Sequence, residues 1–432
     1  MSTLVLLKPK PVDEYSDARL NKVLDEALRM CGLPVMGTLK KGASQWDERD
    51  SQQRISEQHE GNMLQGKAEY NQGELEIICL ETADQVEEKI KQGSLQKCRI
   101  LVAAALGSAG INLELTKMLL LIRRTPQCLR HSTGSIIMDA AGEMYTKAAG
   151  REIAAAMNMA GCSLPGRPLA EGTLSLKNYK VRAAKQKVSL ERAYILAAAD
   201  VIRNLLEYRD RWEDRGLLEP RDVPEHRDLL EAGDRLEYMD RRGENPMLLC
   251  VHCSNRATSN TLSLWEKVRE KLPESIGIRE ISLRSSTIHD CRDCGYDACM
   301  YYSSQSGCYY GGSIVEEVYP ALEKCKAMIL LCPNYNDALS ANLTAMINRL
   351  TALYRRADFS DKYLFAIVVS GYSGSDLVVE QLIGSLCMNK AFRLPPEFAL
   401  CETGNEPGSA LEAEGIEEKI EQFARRIEET LV

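Results

Sequence analysis

One stretch of this chain is dense in groups that can hold an anion. Ser254, Arg256, Ser259, Asn260 and Thr261 fall within Cys253-Ser254-Asn255-Arg256-Ala257-Thr258-Ser259-Asn260-Thr261. An apolar run, Met247 to Val251, precedes the stretch, and a helical pattern, Leu262 to Leu272, follows it. A strand that stops in such a loop and reopens as a helix aims backbone N–H groups, short hydroxyls and a guanidinium at one point, the donor set a phosphate requires. Alone, the same residues would also cap an ordinary helix.

A second set is Cys291, Cys294, Cys299 and Cys308, four thiols within eighteen residues. Thiolates at this density can converge on one metal centre, and the opening Cys-x-x-Cys puts two sulfurs on one turn. A zinc site, a redox-active pair and plain free cysteines stand beside that reading. Tyr296, Tyr301, Tyr302, Tyr309 and Tyr310 interleave with the thiols and suit the wall of a substrate site or a loop packed on a sheet. The five histidines, His252 and His289 among them, form no pattern that would serve a hydrolase.

These groups need a frame, and 432 residues are too many for one ordinary core, so two domains are expected. Lys+Arg 54 against Asp+Glu 62 gives a net charge of -8, which argues against a nucleic-acid partner. Met1 to Leu7 followed by Lys8 and Lys10 is the wrong order for a secretion signal, and no apolar run has the length to span a bilayer. A cytoplasmic protein without a membrane partner is expected, its fifteen cysteines reduced or bound to metal rather than paired.

Apolar runs at Leu4 to Leu7, Leu75 to Leu80, Ile100 to Ala105 and Gly134 to Met138 alternate with helical periodicity, the pattern of an α/β domain with a parallel sheet. Residues 37–72 interrupt it as a polar insertion. From Glu207 to Asn245, 21 of 39 residues are Asp, Glu or Arg, too charged to bury much, so a helical connector is expected over 207–245. Runs then resume at Met247 to Val251, Ile276 to Leu283, Ala327 to Cys332, Leu364 to Val369 and Phe398 to Cys401. The halves also match in detail. Leu95 to Arg99 answers Leu322 to Lys326, Ile111-Asn112-Leu113 answers Ala341-Asn342-Leu343, and Leu164-Pro165 with Glu171 answers Leu394-Pro395 with Glu402. The expected fold is therefore two tandem three-layer α/β/α domains with parallel sheets, 1–206 and 246–432.

The second half resembles the NADPH-dependent FMN reductase and iron-sulfur flavoprotein family of the flavodoxin-like superfamily. The resemblance rests on Ser254, Arg256, Ser259, Asn260 and Thr261 in the phosphate loop and on Pro333-Asn334-Tyr335-Asn336 after the third strand. Ser340 to Arg349, ending in an Asn-Arg pair, and Ser370-Gly371-Tyr372-Ser373-Gly374 after the fourth strand complete it. It implies two tandem flavodoxin-like domains, with FMN on the second. The phosphate would lie on the first loop, and the ring against Pro333, Asn334, Tyr335, Asn336, Ser370, Gly371, Tyr372 and Gly374. NAD(P)H is the implied co-substrate and a small acceptor such as a quinone, or a redox protein, the implied partner. No protein acid or base is required, and a homodimer is allowed. The resemblance also allows a [4Fe-4S] cluster on Cys291, Cys294, Cys299 and Cys308, although the four-residue and eight-residue gaps depart from the family's spacing. An iron-sulfur electron carrier and a cofactor-free interaction module remain as alternatives to the enzyme.

The first half reads as a degenerate copy. In Lys8 to Glu14, Pro9 and Pro11 withdraw backbone donors, while Asp13 and Glu14 would repel a phosphate. Gly107 to Gly110 and Asp139 to Gly142 lack the tyrosines. No flavin is expected there.

Overall fold

The computed structural model describes residues 2–36, 75–208, 247–255, 258–284, 287–305 and 307–432. The expected insertion 37–72, and all but the first two residues of the expected connector 207–245, lie outside them.

In chain order the first domain runs β1 (Ser2–Leu7), α1 (Glu14–Met30), β2 (Leu75–Leu80), α2 (Ala83–Lys91), β3 (Arg99–Leu106), α3 (Leu113–Arg124), β4 (Ser132–Ala140), α4 (Thr146–Met159), β5 (Cys162–Ser163), β6 (Leu169–Gly172), α5 (Lys180–Gln186) and α6 (Leu190–Glu207). The second runs β7 (Met247–His252), α7 (Asn260–Lys271), β8 (Gly277–Ser282), α8 (Tyr296–Gln305), α9 (Tyr319–Lys324), β9 (Ala327–Pro333), α10 (Ala341–Tyr354), β10 (Tyr363–Ser370), α11 (Ser375–Leu382), β11 (Ala399–Thr403) and α12 (Ile416–Leu431). A π-helical turn, Ile383–Met388, continues α11.

The strands are continuous apolar runs because helices cover both faces of each sheet. Every residue of β4 and β10 is buried. Helix starts are fixed locally. The Asp13 side chain accepts from the Ser16 N–H, and Thr82 with Gln85 forms a capping box. The last helix, α12, buries Ile420, Phe423, Ala424 and Ile427, the i, i+3, i+4, i+7 stripe of an amphipathic helix. Each large side chain buried in that stripe stabilises the fold by about 1.5–3 kcal/mol.

Both sheets are parallel and have one topology. The first is ordered β2-β1-β3-β4-β5, with β6 also pairing to β4, and the second β8-β7-β9-β10-β11. This is the flavodoxin-like order, met twice, and in each sheet the direction of winding reverses between the first and third strands. The short β5 and β6 are not among the runs read from the sequence. They share the fifth-strand position in two pieces, because Pro165 and Pro168 interrupt the ladder between them. One hydrophobic core runs through both domains, joining Ile153, Met157 and Leu164 to Leu382, Leu386 and Leu394. Separate clusters lie under α1 and α6 in the first domain and under α7 and α12 in the second. No helix among the described residues is long and apolar enough to cross a membrane.

Candidate functional site

At the carboxyl end of β7 three hydroxyls converge on the start of α7. Ser259 caps the helix, accepting from the Leu262 N–H at 3.3 Å, and its Oγ lies 2.8 Å from Thr261 Oγ1. Thr261 Oγ1 lies 3.2 Å from Ser254 Oγ on the other side. Ser254 and Thr261 are buried, so the cluster forms a floor rather than a fringe. The buried His252 helps to shape it, its Nδ1 accepting from the Ser254 N–H at 3.3 Å while Nε2 faces Glu280 Oε1 at 3.5 Å. Arg256 lies outside the described residues.

Asn260 has a different task from the one its place in the motif suggests. Its Nδ2 donates to Gly404 O at 3.0 Å and Glu406 O at 2.9 Å, and its Oδ1 accepts from the Gly408 N–H at 2.7 Å. The amide is committed to backbone, so Asn260 positions the cradle by tying it to the loop after β11.

The ring-side residues come from the ends of β9 and β10. Beyond Pro333, Asn334 N–H donates to Val369 O at 2.8 Å, and its Nδ2 reaches Ser370 Oγ at 3.0 Å and Ser373 O at 3.1 Å. Tyr335 and Ala338 exchange two backbone bonds of 3.1 Å around Asn336 and Asp337, both at positive φ (51° and 59°), a tight turn of the I′ kind. Gly374 sits at φ 88°, and a Cβ there would lie 2.0 Å from Asp337 Oδ1 and 2.9 Å from Asn334 Nδ2. Glycine thus lets the two loops touch. Ser370 Oγ, buried, is 2.7 Å from Ser375 Oγ, and Gly371 abuts Asn405. The turn projects Tyr335 outward, and Tyr372 is 83% exposed, so both rings present faces to solvent.

Between these loops lies an open cavity of about 370 Å³, lined by Cys253, Arg284, Tyr335, Leu339, Ser340, Ala341 and Asn342. It stands at the reversal point between β7 and β9, where open α/β sheets bind ligands. Cys253 and Ser340 share a hydrogen bond of 2.6 Å at its edge. Burial pushes the Cys253 thiol above its ordinary value, which keeps it protonated rather than nucleophilic. Asp337 and Arg284 were not legible as site residues, because nothing in their spacing sets them apart from turn and surface residues.

A mononucleotide fits this set. The hydroxyl floor and the first turn of α7 offer donors to a phosphate. On the ring side, Asn334 Oδ1 is buried and unpartnered, an acceptor that the N–H of a flavin ring would satisfy.

The cysteine segment behaves otherwise. Cys291 is exposed, Cys294, Cys299 and Cys308 are half-buried, and among the described residues no three of His, Cys, Asp or Glu stand where they could hold a metal ion. The expected [4Fe-4S] ligand set is not formed. Cys299 lies on α8, where burial, together with the charges of the nearby Cys294, Cys308 and Cys291, raises its thiol above the ordinary value. The segment is instead pinned to α10. Asn348 Nδ2 donates to Asp290 Oδ1 at 3.0 Å, and the buried Arg349 donates to His289 O at 3.3 Å and Gly311 O at 2.7 Å. His289 is thus tied to α10 through its backbone carbonyl.

The strand ends of the first domain are tied together by an ion pair. Arg19 of α1 grips Asp139, at the end of β4, through Nε (2.8 Å) and Nη2 (2.7 Å), and donates further to Thr173 O and Leu174 O. Asp139 is fully buried, and that burial pushes its carboxyl up to about 6 against the pull of the guanidinium. Lys8, in the loop that replaces the cradle, pairs with Asp17 at 3.1 Å.

Strand order and crevice together define a flavodoxin-like ligand-binding domain. Residues 246–405 match the family model of NADPH-dependent FMN reductase, so the second domain carries that family's signature. Solved structures similar to the chain include an azoreductase from Bacillus anthracis (13% identity, 42% of this chain and 99% of that chain, TM-score 0.34). A putative quinone reductase from Klebsiella pneumoniae is also similar (15% identity, 42% and 83%, TM-score 0.32). No curated protein sequence matches the chain.

Proposed function

We propose that the second domain, 246–432, binds FMN and works as an NAD(P)H-dependent oxidoreductase that delivers electrons to a small acceptor such as a quinone, while the first, 1–206, holds no flavin. The carrying observation is the convergence of the Ser254–Ser259–Thr261 hydroxyls with the Asn334 and Gly374 loops on one crevice, within the matched residues. When bound, the flavin would supply two-electron chemistry, in which NAD(P)H and one proton from water convert a quinone to a hydroquinone and leave NAD(P)+.

The chain's own part is to bind and orient. Ser254, Ser259 and Thr261 would hydrogen-bond the phosphate, and Arg256 would neutralise it. Asn334 would accept from the ring edge, and the exposed faces of Tyr335 and Tyr372 would flank the ring and its acceptor. Burial keeps Cys253 protonated, so no thiolate competes at the crevice.

Purified protein should be yellow, release FMN on denaturation and consume NADPH only when a quinone is present. A colourless protein whose addition leaves FMN fluorescence unchanged would overturn the assignment.

A further inference from the structure

The correspondences between the two halves turn into contacts. In the first domain Ile136 pairs with Leu169, and in the second Ala366 pairs with Ala399, so equivalent strand positions lie 230 apart. In α4 and α11 the spacing is 229, set by their left-handed caps Tyr145 and Gly374, so Asn158 answers Cys387. Across the domain interface those equivalents meet one another. Leu164 N–H donates to Leu394 O at 2.9 Å, and Leu394 N–H donates to Leu164 O at 3.0 Å. Arg167 N–H donates to Cys387 O at 3.1 Å, while Glu397, the equivalent of Arg167, donates to Asn158 O at 3.0 Å. Arg167 and Glu397 also share a left-handed backbone, φ 57° and 46°. Cys387 Sγ reaches Pro165 O at 3.7 Å, and Asn158 Nδ2 donates to Pro395 O at 2.8 Å.

Such exchange, residue i touching j while the counterparts of i and j touch in return, is the mark of an isologous contact about a two-fold axis. Two unrelated surfaces of one chain have no reason to produce it three times in one patch. The patch is close-packed as well. Leu164, Cys387 and Leu394 are fully buried, and a Cβ on Gly166 would lie 2.0 Å from Ala391 O.

We propose that the N-terminal domain is a built-in dimer partner. The two domains pair as a homodimer would, about a local two-fold axis, and so consume within one chain the face by which two copies could associate. The partner this face fits is an equivalent flavodoxin-like domain, supplied in cis, and the pairing holds whether or not the second domain carries a flavin.

Hydrogen exchange on the unmodified full-length protein tests the pairing without a variant. Amides in peptides containing Leu164, Arg167, Leu394 and Glu397 should be protected equally over a hundredfold range of protein concentration. Rapid exchange, or protection lost on dilution, overturns the proposal. Leu164→Cys with Leu394→Cys supplies the second reading, because Cα atoms of a hydrogen-bonded antiparallel pair, about 5.5 Å apart, suit a disulfide. After mild oxidation the double variant should give a fast-migrating monomer band on a non-reducing gel, absent from each single variant. A band at twice the monomer mass found only in the double variant means that the contact is made between chains, and sinks the cis assignment.

Discussion

The two crevices of this protein sit at the same place in the same fold and are furnished in opposite ways. In the first domain Arg19 crosses from α1 to Asp139 and spends its N–H donors on that carboxylate and on the carbonyls of Thr173 and Leu174. In the second, the same sixth position of the helix is the buried Trp265 of α7, and the loop before that helix carries hydroxyls beside an open cavity. The sheet dictates where a ligand could go, and a few residues at strand ends decide whether one does. A domain can therefore lose its ligand and keep its shape, provided that something satisfies the groups left at the crevice.

The contrast breaks most visibly at Arg19. Arg19→Ala leaves Asp139 buried without its partner, a loss of about 3–5 kcal/mol. Urea denaturation of the full-length chain should show it, with flavin content of the folded protein unchanged. In the second domain Arg256→Ala would remove the charge-assisted phosphate contact proposed for it, worth about 1.5–3 kcal/mol, so FMN should bind roughly tenfold to a hundredfold more weakly by fluorescence titration. Lys10→Ala, the matching change in the first domain, should leave that titration untouched, and an emptied site would mean that the first copy is not degenerate. Gly374→Ala forces a side chain into the left-handed region against Asp337, a strain of about 1–3 kcal/mol. Its expected signature is weaker FMN binding at nearly unchanged far-UV circular dichroism.

The gentlest probe is pH. Asp139 titrates at about 6 in the folded protein against an ordinary 3.8, so its folded form holds the proton more tightly than the unfolded chain. The stability it contributes is complete below about pH 4 and is lost as pH rises through 6. The melting temperature should carry a downward step in that window which Asp139→Asn lacks.

The sequence made the long strands legible because both faces of each sheet are covered, leaving unbroken apolar runs such as Ala327 to Cys332. It hid β5 and β6, which two prolines break into pieces too short to show a pattern. In the site, the hydroxyls and the Asn334 and Gly374 loops were readable because their chemistry is local to one turn each. The positioning role of the Asn260 amide was hidden, since that amide is claimed by backbone 144 to 148 residues away, a partner that no local pattern reveals. Arg19 was invisible for the same reason, its acceptor lying 120 residues on. The repeat exposed Leu164 and Leu394 as equivalents, but only the folded chain puts them side by side.

The three bonds of Asn260 carry one more implication. Two of its anchors, Glu406 and Gly408, fall just past residue 405, where the match to the reductase family stops. A protein trimmed at that boundary would keep every motif residue yet lose the strap that holds the front of the phosphate loop, and would be expected to fray there first. The last stretch of the chain, silent in the motifs, is what keeps the mouth of the pocket in register.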